Sequence, residues 1–169
     1  MRIATLDFEA SALDGWPIEA GWMREGDAAP KSMLIRPDAS FHVTEWSSVA
    51  EAAHKITRER LDREGVEAHA VLAAMSADLQ DCRVASDAPD YDAAWLGRLC
   101  TVADAAPPFS LCSIAEVLPW LAARSGLSID EAVRRYVAAS ATAPPPAHRA
   151  GPDAAQLLKR LLTIGAIEC

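Results

Sequence analysis

Three short segments carry the residues best suited to chemistry: Asp7 and Glu9 in ATLDFEAS, Asp92 in DYDAAWL, and His148 with Asp153 in HRAGPD. Four carboxylates gathered at one point would make an oxygen-rich site of the kind that hard divalent cations take. Phosphate ester cleavage uses a pair of such cations to stabilise the attacking and leaving oxygens. A histidine nearby titrates close to neutrality and can accept the proton of an attacking water. Taken singly, the same residues have blander readings. Asp7 and Glu9 fit the outer face of a half-exposed strand, Asp92 a helix N-terminus facing the dipole, and His148 an ordinary surface position.

For these residues to meet, the elements carrying them must converge. Residues 2–8 (RIATLDF) read as a strand, in which Asp7 and Glu9 share one face while Leu6 and Phe8 take the other. Extended segments follow at 17–25 and 31–36, with Gly26 and Asp27 as the turn, so an antiparallel meander is expected. From Glu45 to Gln80 the period becomes helical. Ser47 or Ser48 caps a first helix, Thr57 caps a second that Gly65 ends, and 67–80 forms a third. Residues 82–86 read as a strand, 91–102 as a helix opening beside Asp92, and 109–113 as a short strand. Helices are expected at 114–124 and 129–140, then a Pro-rich loop at 141–147 that delivers His148, and a closing amphipathic helix at 151–164 that carries Asp153. Strands followed by βα units predict an α/β layered domain with a mixed sheet. No internal repeat or domain boundary is visible, so 1–169 is expected to be a single domain.

Composition sets the bounds. The 169 residues are 51% hydrophobic and 24% charged, ordinary values for one globular domain. No apolar run approaches the roughly 20 residues that span a bilayer, and no signal-peptide pattern opens the chain. Cys82, Cys100, Cys112 and Cys169 lie far apart without metal-ligand spacing, so reduced thiols and a cytoplasmic location are expected. The net charge of −8 argues against an extended electrostatic track for a duplex. Two divalent cations at the carboxylates would restore about +4 locally, which suits a short single-stranded end. A two-fold dimer is the default expectation for assembly.

The order and spacing of the five residues resemble the DEDDh family of 3′–5′ exonucleases, over residues 3 to about 162. Asp7 and Glu9 match the first motif. The aromatic–Asp pair Tyr91–Asp92 ahead of Ala94, Trp95 and Leu96 matches the second, and the HxxxxD spacing of His148 and Asp153 the third. A sister branch carries tyrosine where this chain has Arg149, which excludes that branch. The resemblance implies an RNase H-like mixed five-stranded sheet flanked by helices and two bound cations, Mg²⁺ or Mn²⁺. It further implies release of nucleoside 5′-monophosphates from the 3′ end of single-stranded DNA or RNA. In that family Asp7, Glu9 and Asp153 would hold one metal and Asp7 would share the second. Asp92 would act nearby, often through water, and neutral His148 would serve as general base.

The match has departures, and other readings compete. Relatives often follow Glu with Thr-Thr-Gly and place His-Asn before the second aspartate. Here those positions carry Ala10, Ser11 and Ala12, then Ser86 and Asp87, so the pocket for the terminal nucleotide is altered. By the same resemblance Leu13 is the apolar wedge against the last base, and His54 in AAHKIT falls where relatives approach the bound strand. His54 reads equally well as a buried helix histidine with a satisfied ring nitrogen. Arg149 is the best single phosphate-contact candidate. Trp22 and Trp95 belong to apolar faces, leaving Trp16 and Trp46 as the tryptophans available for stacking. Two alternatives stand beside the exonuclease: a catalytically weak binding module or polymerase-associated subunit on the same scaffold, and an RNase H-like endonuclease.

Overall fold

The computed structural model describes residues 1–41 and 46–165. Glu45, where the helical period was expected to start, and Cys169 lie outside the described residues. Strands β1 (Arg2–Ala10), β2 (Pro17–Arg24), β3 (Lys31–Leu34), β4 (Cys82–Ala85) and β5 (Leu111–Cys112) form a sheet in the order β3-β2-β1-β4-β5. The first three run antiparallel as a meander, while β4 joins β1 and β5 joins β4 in parallel. Among the described residues seven helices flank it: α1 (Ser48–His54), α2 (Arg58–Glu64), α3 (Ala68–Leu79), α4 (Pro89–Val102), α5 (Ile114–Ser125), α6 (Ile129–Ala141) and α7 (Ala150–Leu162). This is the mixed five-stranded sheet flanked by helices that the sequence predicts.

Alternation along β1 builds two cores, one on each side of the sheet. Leu6 and Phe8 pack with Ile18 and Trp22 of β2 under α3 and α4, contributed by residues such as Val71, Met75, Leu96 and Leu99. On the opposite side Ile3 and Ala85 meet Val117 and Leu121 of α5 and the buried stripe Leu157, Leu158 and Leu161 of α7. Each large aliphatic side chain fully withdrawn from water contributes about 1.5–3 kcal/mol, so β1 is clamped from both faces. It therefore makes a rigid base for whatever its outer end carries.

Local chemistry explains the element ends. Ser47 caps α1 through the Ala50 amide, Thr57 caps α2 through that of Arg60, and Ser113 forms a reciprocal capping box with Glu116 at α5. β3 is shorter than the expected 31–36: Ile35 still donates its amide to Ile18 of β2 at 2.8 Å but also bridges in parallel to Val66, where the chain turns off the meander. α4 begins at Pro89 rather than Tyr91, since a proline fits the first helical position, where no amide partner is needed. The expected strand at 109–113 reduces to Leu111–Cys112.

One position in β2 governs where α7 docks. A Cβ on Gly21 would lie 2.1 Å from the Ala150 carbonyl carbon and from the Gly151 nitrogen. Only a glycine there lets the start of α7 touch the strand. The contact is locked by the Thr5 hydroxyl, which donates to the Ala154 carbonyl at 2.7 Å. Thr5 precedes Asp7 on the same face of β1, so this docking brings the first turn of α7 against the end of that strand.

Candidate active site

Beyond the two cores, the outer end of β1 opens into a cleft of about 340 Å³. Asp7, Glu9, Asp92, His148 and Asp153 all line it. Asp7, Glu9 and Asp153 each offer a carboxylate oxygen, and those oxygens lie within 4.8 Å of one another. They come from two elements: Asp7 and Glu9, two residues apart on the central strand, and Asp153 in the first turn of α7.

Asp92 occupies the first turn of α4 and is only 1% exposed. The Ser86 hydroxyl donates a short hydrogen bond to its Oδ2, and Ser86 Oγ in turn accepts from the Ala88 amide at 2.9 Å. The other carboxylate oxygen, Oδ1, is buried without a well-formed hydrogen bond among the described residues, although the Phe8 backbone also draws the Asp92 carboxyl down. A buried acceptor left unmade is costly, so Asp92 is prepared for a donor or cation.

The turn before α7 is shaped by Asp153. Its Oδ1 accepts from the Ala147 amide at 2.8 Å and its Oδ2 from the Arg149 amide at 3.1 Å. These bonds flank His148, which is exposed and sits in the left-handed region with φ 53°. That conformation is unfavourable for a residue with a side chain, and the paired amides hold it in place. Each Asp153 oxygen retains a lone pair for a cation.

The electrostatics follow from the crowding. Burial, then the charges of Asp92, Glu9 and Asp153, push the Asp7 carboxyl up to about 9. Burial, then Asp153 and Glu19, raise Glu9 to about 7. Burial raises Asp92 to about 7 against the opposing pull of the Ser86 hydroxyl. Among the described residues no side-chain cation ion-pairs with any of these three or with Asp153. The set therefore fits divalent cations: hard oxygen donors, converging from two helices and a strand, with no side-chain cation in direct contact among the described residues and only Arg149 acting on Glu9 through space.

The expected substrate contacts fare differently. Arg149 departs from its predicted role, because its guanidinium is engaged by Glu19 at 2.9 and 2.7 Å. Glu19 is fully buried on β2 directly opposite Glu9, and also accepts from the Ala150 amide at 3.0 Å. Burial pushes Glu19 up, yet Arg149, Ala150 and Ser32 outweigh it and hold its carboxyl below the usual range. Arg149 is thus an anchor for the histidine's turn. His54 is 2% exposed, lies outside the cleft lining, and its Nδ1 accepts from the Ile56 amide at 3.0 Å. Leu13 is 66% exposed at the tip of a turn closed by Ser11 and Trp16, also outside the lining. Trp16 is buried, and Trp46 donates its Nε1 to Glu51 at 2.6 Å.

Ser86 and Asp87, which the sequence places in the altered pocket segment, and Trp95, assigned there to an apolar face, all lie at the site: Ser86 positions Asp92, and Asp87 and Trp95 line the cleft. Glu19, which holds Arg149, and the lining residues Gln156 and Arg160 are not singled out by the sequence. A helical stripe was available as a signal for two of them, since Gln156 and Arg160 stand three and seven residues after Asp153. Nothing local pointed to Glu19, whose partner lies 130 residues away.

No family model and no curated protein sequence matches the chain. Solved structures do. The nuclease domain of 3'hExo, a DEDDh family member bound to rAMP, has a TM-score of 0.63 at 14% identity, covering 96% of this chain and 90% of that one. Apo exonuclease I gives 0.66 at 12% identity over 96% of this chain. The zinc-bound form of the E. coli exonuclease I complex with single-stranded DNA gives 0.65 at 13% over 95%. The chain spans only 41% and 40% of those two proteins. At such identities the likeness is one of architecture, and the fold of this chain is the RNase H-like fold of the DEDDh exonucleases.

Proposed function

We propose that the cleft is the active site of a metal-dependent 3′–5′ exonuclease acting on single-stranded nucleic acid and releasing nucleoside 5′-monophosphates. The observation that carries this reading is the convergence of Asp7, Glu9, Asp92 and Asp153 with exposed His148 in one cleft, without a side-chain cation paired to them among the described residues. Asp7, Glu9 and Asp153 would hold one cation and Asp7 would share a second, Mg²⁺ or Mn²⁺, with Asp92 nearby. When bound, such cations supply the positive charge that offsets the charge developing on the attacking and leaving oxygens.

The chain's own groups do the rest. His148 takes the proton of the attacking water at a ring nitrogen, as a general base. Asp153 fixes the amides on either side of that histidine, so ligand and base move as one unit. Ser86 orients Asp92 from below. Exposed Leu13 is the apolar wedge against the terminal base.

The test uses 5′-labelled single-stranded DNA and RNA with Mn²⁺ or Mg²⁺, beside an Asp7→Asn control. A ladder shortening from the 3′ end in the wild type alone supports the exonuclease, and the faster substrate names its class. Metal-dependent thermal stabilisation without any ladder favours the binding-module reading instead. Cleavage of a circular substrate would point to an endonuclease.

A further inference from the structure

A chain of net charge −8 that takes up a polyphosphate strand must offer it a cation somewhere near the reacting centre. The sequence's candidate, Arg149, is consumed by Glu19. Arg160 is the arginine that lines the cleft. It stands seven residues beyond Asp153 on α7, on the same helical face as Gln156. Its Nη2 donates to Asp87 at 2.9 Å, and its guanidinium carbon lies 5.9 Å from the centre of the Tyr136 ring. Its Nε is buried without a partner among the described residues.

The cleft does not end at Arg160. A second cavity of about 240 Å³ shares Ala143, Pro144, Gln156 and Arg160 with it and adds Lys159. Lys159 is exposed and makes no ion pair among the described residues. The surface therefore runs along α7 from an acidic end at Asp153 to a basic end at Arg160 and Lys159. Only the acidic end is used by the hydrolytic reading.

We propose that this extension is a phosphate subsite, in which Arg160, with Lys159 beside it, binds one phosphate of the nucleic-acid strand other than the one being hydrolysed. The inference rests on the nuclease reading of the cleft. Asp87, close to half exposed, is the resident counter-ion that a phosphate replaces. The planar guanidinium suits that exchange, because its fork presents parallel N–H donors to phosphate as readily as to carboxylate. Tyr136 supports the guanidinium from one side and limits the orientations it samples.

The experiment measures anisotropy of labelled single-stranded oligonucleotides in Ca²⁺, with hydrolysis in Mn²⁺ followed in parallel. Arg160→Gln should weaken binding of the all-phosphate strand about tenfold, the loss typical of a charge-assisted contact. That penalty should vanish when a neutral methylphosphonate replaces one particular internal phosphate. Arg160→Lys should recover part of the affinity, and Asp87→Asn should tighten binding by freeing the guanidinium. An Arg160→Gln penalty identical at every methylphosphonate position overturns the proposal, since Arg160 then only supports local structure. Wild-type binding without hydrolysis removes the nuclease reading while leaving the subsite standing. Failure of the wild type to bind any strand overturns both.

Discussion

Glu9 and Glu19 face each other across two neighbouring strands, on the same side of the sheet, and meet opposite fates. Glu19 is the more buried, yet its carboxyl is held below the usual range because Arg149 and the Ala150 amide surround it. Glu9 is partly buried and is raised to about 7, as Asp7 beside it is raised to about 9. What separates them is direct pairing: Arg149 forks onto Glu19, whereas it acts on Glu9 only through space and is outweighed there by burial, Asp153 and Glu19. The proposed cation site rests on that difference between a directly paired carboxylate and its unpaired neighbours.

The largest effect should come from removing a charge on the uncompensated side. Asp7→Asn should bring nucleotide release down to background and abolish stabilisation by Mn²⁺. Without metal the same variant should melt about 5 °C higher than the wild type, since folding no longer has to protonate a carboxyl that is ionised in the unfolded chain. Thermal melts with and without Mn²⁺ beside the release assay would read all three. A metal-free melting temperature that falls instead would break the comparison.

Next comes pH, where the two sides differ in sign. A carboxyl whose folded pKa exceeds its unfolded value adds stability in acid and loses it as pH rises through the folded pKa. Asp7, Glu9 and Asp92 are all of this kind, so metal-free stability should decline steadily from about pH 4 to about pH 9. Mn²⁺ should flatten that decline by favouring the ionised forms. Glu19 acts oppositely: its contribution is present above its unfolded value and is lost on acidification. Melting curves across pH for wild type and Glu19→Gln would separate the two contributions, the variant lacking only the loss at low pH.

Breaking the compensated side should cost about 2–3 kcal/mol, near the lower end for a broken buried pair because Arg149 is one-third exposed. Either Glu19→Gln or Arg149→Ala, followed by denaturant unfolding, would measure it. Both should also slow catalysis through a misplaced His148 turn, with Arg149→Lys intermediate. Smallest of all, Ser86→Ala should cost about 1 kcal/mol by leaving Asp92 without its donor. It should weaken Mn²⁺ binding severalfold, read by calorimetric titration.

Much of this site was legible in the sequence because it is written in local periods. Asp7 and Glu9 share a face through the two-residue repeat of a strand, and Asp153 meets the His148 turn through spacing across a helix start. Ser47 and Thr57 cap the helices that their types suggest. Arg149 misled because its type and place beside His148 suit a phosphate contact, whereas its partner Glu19 arrives only through the register of β2. His54 likewise fits a site by position and is buried by packing.

The amino-acid sequence by itself therefore determined the elements, the two faces of β1 and the identities of the acidic residues, since each depends on neighbours within one or two turns. Tertiary structure alone decided which carboxylates stay uncompensated. That depends on Gly21 admitting α7 to the sheet, on Glu19 capturing Arg149, and on Arg160 reaching Asp87. These pairings join residues far apart in the chain, and charge compensation acts through space over a few ångströms, so no local pattern encodes it.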